Sequence, residues 1–252
     1  MSKKLYAVGA LAAIILLIPA AAGADVLSPS ITINPSGSSD TSNAEVFTGL
    51  KLALLLSALT FLPSLLMSVT CFARFVIVLS LTRQALGTAQ TPPNQLLIGL
   101  ALFLTFAVMS PVFSSMYNDS LLPYSEDQIG HKEAYDKAWS PLRDFMLRHT
   151  REQDLELFME IGKMEPPEAP ENLSPVAVVP AFLLSELNSA FQIAFLIYLP
   201  FLVLDMIVSS VLTSMSMITL PPTVISLPIK LMLFVVIDGW HLIIGNLVQS
   251  YH

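Results

Sequence analysis

Two aspartates, Asp205 and Asp238, lie in separate apolar stretches of the sequence. Two carboxyl groups that share a proton form an acid/base pair, so such residues could serve an intramembrane aspartyl protease. Neither aspartate follows the Gly-x-Gly sequence typical of those proteases, and Gly239 and Trp240 after Asp238 indicate the end of a helix. We interpret both aspartates as buried polar groups that are hydrogen-bonded or salt-bridged.

The other reactive residue types show no spacing typical of an active site. The four histidines are His131, His149, His241 and His252, and they form neither an HExxH motif nor another metal-ligand pattern. A phosphate-binding glycine loop and a GxSxG nucleophile motif are also absent from the sequence. The single cysteine, Cys71, excludes an internal disulfide and a CxxC pair. The sequence therefore predicts no enzyme, no cofactor and no metal.

Lys230 lies in an apolar run from Ile229 to Ile237. An uncompensated charge in lipid costs at least a few kcal/mol, so this lysine requires a partner. Upstream, Pro221 and Pro222 cannot both continue a helix, because each lacks a backbone N–H group and its ring clashes with the preceding turn. The sequence predicts a hairpin bend near residue 220 between two apolar helices.

The composition indicates a polytopic membrane protein. Of the 252 residues, 54% are hydrophobic and only 12% are charged, and the mean hydropathy is +0.69; soluble domains carry about 25% charged residues. Thirteen acidic and six basic residues are concentrated between Asp119 and Glu171. This contrast predicts one small polar domain among apolar helices and gives no indication of nucleic-acid binding.

Residues 1–24 have the three regions of a secretory signal peptide. Lys3 and Lys4 precede an apolar core that is shorter than the roughly 20 residues of a membrane span, and the small residues Ala-Gly-Ala end at Ala24. We predict cleavage between Ala24 and Asp25, with an uncleaved first anchor as the alternative. Residues 25–45 have too few apolar side chains to fold and would form a flexible extracytoplasmic leader.

Residues 46–117 are predicted to form the N-terminal hydrophobic helices. A membrane-length helix from about Leu50 to Thr70, followed by an amphipathic or re-entrant continuation, fits this region. Arg74 and Arg83 precede the turn at residues 87–93, and basic residues near a short loop indicate the cytoplasmic side. The apolar segment 96–112 would return the chain outward.

Residues 118–175 are predicted to form a small helical domain on the periplasmic side. Ser140 and Pro141 indicate one helix start, and Thr150 with Gln153 indicates a capping box for a second helix. Residues 165–170 form an exit linker. Residues 176–252 would then form the C-terminal hairpin, an apolar stretch interrupted by prolines at 180 and 200.

Two long motifs stand in this last region, PAFLLSELNSAFQIAF from Pro180 and PIKLMLFVVIDGW from Pro228. Shorter ones are TCFARFVIVLS from Thr70, RQALG from Arg83, QTPPNQ from Gln90 and PLRDFMLR from residue 141. Together they closely resemble the FliP family, the flagellar members of the type III secretion export-gate proteins. The resemblance covers residues 45–250.

The resemblance implies an all-α subunit of helical hairpins that assembles as a pentamer, with FliQ and FliR homologues, into a ring-like pore that residues 176–252 would line. Other gate proteins, such as FlhB and FlhA homologues, and unfolded flagellar export substrates are implied as further partners. The complex would lie among the lipids of the bacterial inner membrane, at the flagellar basal body, and the resemblance also allows it to be raised toward the periplasm. A virulence-associated type III gate subunit and a stand-alone ion or solute transporter remain as alternatives. The transporter would use Glu186, Asp205 and Lys230 as its relay.

Two site hypotheses follow. Glu186 and Lys230 would lie about 50 and about 15 Å from the bend in a straight hairpin, so we expect them to pair between neighbouring subunits, as the resemblance also suggests. Met215, Met217 and Ile218 directly precede the bend and would form a pore seal, since an apolar ring blocks ions by dewetting. The family tends to carry adjacent methionines at this place, which Ser216 interrupts here. Arg74 is expected to be a further buried polar residue.

Overall fold

The computed structural model describes residues 43–88, 90–164, 173–217 and 220–251. Within these ranges every regular element is helical and no strand occurs, which confirms the all-α prediction. The expected cleavage site at Ala24 and Asp25, the first part of the leader, the linker at 165–170 and Ile218 lie outside the described residues.

Three helices make up the N-terminal part of the described chain. They are α1 (Asn43–Ser68), α2 (Phe72–Ala85) and α3 (Asn94–Met116). The chain from Leu55 onward, with the second part of α1 and all later helices, forms one compact unit. The predicted continuation after Thr70 is a separate helix, α2, whose side chains at Phe75, Val78 and Leu79 are fully buried. It is therefore a core helix.

The small polar domain is helical, but its first helix begins earlier than predicted. A π-helical turn (Tyr117–Leu121) and a short helix α4 (Leu122–Ser125) precede α5 (His131–Arg148) and α6 (Glu152–Ile161). Pro141 lies inside α5, so the predicted start at this proline is wrong. The helix tolerates the lost backbone hydrogen bond because the turn beyond the proline buries Phe145 and Met146, and tertiary packing routinely overrides propensity.

The predicted capping box at the start of α6 is also wrong. The Thr150 hydroxyl donates a hydrogen bond back to the Met146 carbonyl oxygen at 2.7 Å, so it satisfies the end of α5. Arg151 is the residue that precedes α6, and it provides no side-chain cap. Its backbone N–H instead donates to the Ser185 hydroxyl oxygen at 3.0 Å.

The C-terminal region consists of α7 (Pro175–Ser214), α8 (Pro222–Val236) and α9 (Gly239–Gln249). Helix α7 starts with the Ser174 side chain accepting a hydrogen bond from the Val176 N–H, which is a favoured helix cap. It then runs for 40 residues through Pro180 and Pro200 without ending. Helices α8 and α9 meet at an angle of 62°.

The core lies where α7 packs against α2, α6 and α8, and α3 packs against α2 and α5. Its largest fully buried side chains include Phe75, Phe182, Leu97 and Met109. Two helical stretches, 94–125 and 175–214, are long and apolar enough to cross a membrane, and the bent pair α8–α9 would be a third crossing if it acts as one span. These lengths agree with the predicted multi-pass membrane protein.

Candidate functional site

Glu186 lies at the centre of a buried polar cluster, with its side chain completely inaccessible to solvent. Its carboxylate accepts a hydrogen bond from Arg74 Nε at 3.0 Å and further ones from Arg74 Nη2 and the Tyr251 hydroxyl. Arg74 Nη1 donates to the Ser250 hydroxyl oxygen at 3.0 Å. A guanidinium group matches a carboxylate through two parallel hydrogen bonds. The cluster therefore pairs both charges within the chain.

Three parts of the chain bring these side chains together. Arg74 comes from α2, Glu186 from α7, and Ser250 and Tyr251 directly follow α9. The Arg74 guanidinium carbon lies 4.1 Å from the centre of the Tyr251 ring, within the distance of an attractive cation–π contact. Because the arginine is held by both the carboxylate and the ring, α9 is coupled to the pairing of α2 with α7.

His149, the residue after α5, packs on the same tyrosine. Its ring lies 4.9 Å from the Tyr251 ring and 4.7 Å from the Phe145 ring. The imidazole Nδ1 donates to the Phe145 carbonyl oxygen at 2.8 Å. Burial lowers the pKa of His149, and the positive charge of Arg74 acts in the same direction, while backbone hydrogen bonds oppose it.

Lys230 on α8 forms the second buried charge site. Its ammonium lies 2.5 Å from Asp205 Oδ2 on α7 and 3.2 Å from the carbonyl oxygen of Ala85, the last residue of α2. Carbonyl groups at a helix C-terminus carry partial negative charge and attract cations. The Lys230 side chain is only 6% exposed, whereas that of Asp205 is 37% exposed. Lys230 thus ties three helices together from a buried position.

The pairing of Glu186 with Lys230 between neighbouring subunits stays a prediction, because within its own chain each residue has a different partner. Each of these charges has an opposite charge within its own chain, Arg74 for Glu186 and Asp205 for Lys230. The prediction considered only the two hairpin helices and overlooked α2, which supplies the arginine. A neighbouring subunit would have to displace two satisfied, largely buried pairs to form the expected contact.

The structure also places Arg74 and Asp238 differently from what the sequence predicted. Arg74 lies inside α2 and is 5% exposed, so it does not mark a loop; Arg83 remains near the turn, where its Nη1 donates to the Pro92 carbonyl oxygen. Asp238, expected to be buried, is exposed in this chain. It lies between α8 and α9 with φ of 52°, a left-handed conformation that aspartate tolerates better than most residues.

The bend separates α7 from α8 at the proline pair. Helix α7 ends at Ser214, Pro221 is extended, and Pro222 is the first residue of α8. Met215 is 63% exposed and Met217 is 38% exposed, while Ile218, the third residue of the expected seal, is not among the described residues. The two described methionines present apolar surface that this chain leaves uncovered.

An open groove of about 790 Å³ lies beside the bend, between α7 and α8. Its polar lining consists of Asp205 and the hydroxyl residues Ser209, Ser210, Thr213, Ser214 and Thr223. Thr213 and Ser214 donate back to carbonyl groups of their own helix. The groove leaves the Asp205 side chain partly accessible, which explains the difference in exposure between the two members of the pair.

Sequence reasoning missed both actual partners, although one signal was available. Asp205 lies nine residues before the end of α7 and Lys230 eight residues after the start of α8. Residues at equal distances from a hairpin bend lie at the same level on the two helices, so the spacing favours this pair. Tyr251 and the Ala85 carbonyl group had no such signal, because their positions depend on how α9 and α2 pack.

Apolar helices of membrane-crossing length, held together by buried charge pairs, define a helical multi-pass membrane protein. The chain belongs to the FliP family, whose family model matches residues 55–247.

Three curated relatives illustrate how far the similarity extends. A flagellar biosynthetic protein FliP of Bacillus subtilis (strain 168) is 51% identical over 219 residues, covering 87% of this chain and 98% of that relative. The protein of the same name from Pectobacterium carotovorum subsp. carotovorum is 51% identical over 198 residues, with 79% and 77% covered. That of Aquifex aeolicus (strain VF5) is 46% identical over 208 residues, with 80% and 85% covered.

Proposed function

We propose that this chain is a subunit of the flagellar type III protein export gate and forms part of the pore through which unfolded flagellar proteins pass. The observation that carries the proposal is the 51% identity to a flagellar biosynthetic protein FliP over 98% of that relative. The apolar helices of membrane-crossing length support the same role. The flagellar names of the relatives favour this function over a virulence-associated gate.

The proposed subunit works without catalysis, together with several partners. It assembles with further copies of itself as a pentamer and with FliQ and FliR homologues, next to FlhB and FlhA homologues. Large exposed apolar side chains on α7 and α8, among them Phe195, Leu196, Val235 and Val236, support burial against lipid or other subunits, since patches of this kind mark interaction sites. The stand-alone transporter would need no such partners.

Co-purification from membranes tests the assembly. A tagged copy of this chain is expressed together with FliQ and FliR homologues from the same organism, in a strain whose own FliP-family protein has been deleted. It should restore motility and co-purify with both partner proteins. Its mass should correspond to several copies of this chain. A monomer or dimer without these partners, together with unrestored motility, would instead support the transporter.

We further propose that Met215, Met217 and Ile218 keep the resting pore closed to ions. The exposed methionines next to the proline bend support this role, because helix ends that converge on a symmetry axis place equivalent residues in one ring. An apolar ring excludes ions by dewetting, and flexible thioether side chains adapt to a passing polypeptide. No charged gate is then required.

The seal is tested with the triple variant Met215→Ala, Met217→Ala, Ile218→Ala. Cells that express it should leak small ions and grow poorly while the complex still assembles. The matched control is Met206→Ala with Met232→Ala, two methionines that are 64% and 63% exposed on α7 and α8. If the triple variant assembles and does not leak ions, these three residues do not form the seal. The same conclusion follows if the control variant leaks ions equally.

A further inference from the structure

Helix α9 begins directly after a sharp bend in the chain, and beyond its other end a tyrosine contacts the core. The break at Ile237 and Asp238 turns the chain by 62°, and Asp238 adopts the left-handed conformation described above. Residues 250 and 251 follow the last residue of α9. The helix is therefore placed between a hinge-like break and a polar anchor.

Few buried side chains hold α9 between these two ends. Only Gly239, Ile243 and Leu247 of the helix are buried. Near the break, the Trp240 ring meets the Phe234 ring edge to face at 5.3 Å. The half-buried Trp240 and Val248 also pack against the core, and the contacts beyond Gln249 add polar interactions to this apolar burial.

Tyr251 makes polar and ring contacts with several helices. Its hydroxyl donates to Glu186, its ring lies under the Arg74 guanidinium, and the ring also packs 5.6 Å from Phe75 and 6.0 Å from Phe145. These partners belong to α2, α5 and α7. One side chain thus joins α9 to three other helices.

We propose that Tyr251 is a latch: its hydroxyl and ring lock α9 onto the Arg74–Glu186 pair, and its release lets α9 move about the break at Asp238. The latch couples the position of α9 to the buried charge pair, because the Glu186 carboxylate that binds Arg74 also accepts a hydrogen bond from the Tyr251 hydroxyl. This inference concerns the fold of the chain and holds whether or not the chain forms an export pore.

Cys71 provides a built-in reporter of the latch. It is the single cysteine of the chain, it is fully buried, and it directly precedes α2 in the same core. Burial and the nearby Glu186 raise the pKa of its thiol to about 12. Since the thiolate is the reactive form, alkylation of Cys71 requires opening of the surrounding structure.

The test compares Tyr251→Phe and Tyr251→Ala in the full chain in membranes. The phenylalanine keeps the ring and removes only the hydroxyl, whereas the alanine removes both. N-ethylmaleimide alkylation of Cys71 is measured together with amide hydrogen exchange of residues 239–249. The control is Tyr135→Phe, at a tyrosine that is 60% exposed on α5.

We expect Tyr251→Phe to raise both the alkylation rate and the exchange of α9 by about tenfold, the effect of losing one hydrogen bond to a charged acceptor. Tyr251→Ala should raise them further, while α3 and the control stay at wild-type rates. The proposal is overturned if Tyr251→Phe leaves both rates unchanged. It is also overturned if exchange rises equally in all helices, since the tyrosine would then be an ordinary core residue.

Discussion

At the scale of single residues, the two buried charge sites differ in what remains when one partner is removed. Glu186 and Arg74 are both buried, so the loss of either leaves a stranded charge. In the other site only Lys230 is buried, while Asp205 reaches the open groove. A charge that can regain water costs less than one that cannot.

We predict an asymmetric response at this second site. Asp205→Ala leaves the buried ammonium with only the Ala85 carbonyl oxygen and should lower the free energy of unfolding by about 3–5 kcal/mol. Lys230→Met leaves a carboxylate whose Oδ1 atom is buried but whose side chain as a whole is 37% exposed, so its cost should be smaller, about 1–2 kcal/mol. Denaturant unfolding of the purified protein in lipid measures both.

Two comparisons sharpen this measurement. The double variant Asp205→Ala, Lys230→Met should be more stable than Asp205→Ala alone, because it no longer contains a stranded lysine. Glu133→Ala breaks the exposed pair with Lys137 and should cost about 0.5 kcal/mol or less. Equal losses for the two single variants would contradict the difference in burial.

His149 should make the fold sensitive to acid. Its pKa is lowered in the folded chain, chiefly by burial, so unfolding takes up a proton at pH values between the lowered pKa and the usual value of about 6.5. Stability is therefore fully present above about pH 6.5 and falls as the pH decreases toward the folded pKa. Protonation would also place a cation beside Arg74, on the same tyrosine ring.

The measurement is the free energy of unfolding from about pH 7.5 to about pH 5.5, where this histidine contributes to the slope. His149→Gln should flatten the slope, although it lowers the stability at neutral pH by removing ring contacts. His241→Gln, at an exposed position on α9, should keep the wild-type slope. An unchanged slope in His149→Gln would assign the acid sensitivity to other groups.

At the scale of elements, Ser185 joins the small domain to α7. Its hydroxyl donates to Asp154 Oδ2 at 2.5 Å and accepts a hydrogen bond from the Arg151 N–H. Helix α6 lacks a side-chain cap of its own, so a serine of a different helix satisfies the first turn. The small residue at this position thus has a polar role in addition to allowing close helix packing.

Ser185→Ala should loosen this joint without disrupting α7. It leaves the Arg151 N–H and one Asp154 oxygen without this partner, which typically costs about 1–3 kcal/mol. Amide exchange should accelerate over residues 152–161 while α3 is unaffected. Ser189→Ala, one turn further along α7 at a half-buried position, is the matched control and should behave as wild type. Equal amide protection of α6 in Ser185→Ala and Ser189→Ala would show that the Ser185 hydroxyl is dispensable.

The sequence predicted the elements whose determinants are local and missed those set by packing. The apolar helix at 96–112 and the separation of α7 from α8 follow from composition and from the proline pair. Pro141, Pro180 and Pro200 lie inside helices because neighbouring buried side chains outweigh the local penalty. In the same way, the partner of Glu186 depends on the packing of α2, which no local pattern shows.

At the scale of the whole molecule, α7 is longer than one membrane crossing requires. Its 40 residues extend about 60 Å, about twice the hydrocarbon thickness of a bilayer. Ser185, where the small domain attaches, lies about 30 Å along the helix from Asp205. The C-terminal end of α2 lies near the bend, since Gly87 is close to the Leu227 side chain and the Lys230 ammonium donates to the Ala85 carbonyl oxygen. The polar domain and the bend therefore lie toward opposite ends of α7.

This separation predicts which surfaces are reached from which side of the membrane. If the half of α7 near the bend crosses the bilayer, and the basic residue Arg83 keeps its turn in the cytoplasm, then the small domain lies outside. Gln90 on the turn and Lys132 on α5 are exposed, so Gln90→Cys and Lys132→Cys report on the two sides. The buried Cys71 adds little background.

We expect a membrane-impermeant maleimide to label Lys132→Cys in cells whose inner membrane is intact, after any outer membrane has been opened. Gln90→Cys should react only after the inner membrane is permeabilised. Labelling of both from outside would contradict this arrangement and would instead support a complex raised toward the periplasm, with α7 largely outside the bilayer. Labelling of Gln90→Cys alone from outside would indicate the opposite orientation of the chain in the membrane. It would also contradict the signal peptide ending at Ala24, because cleavage there directs the following chain outward.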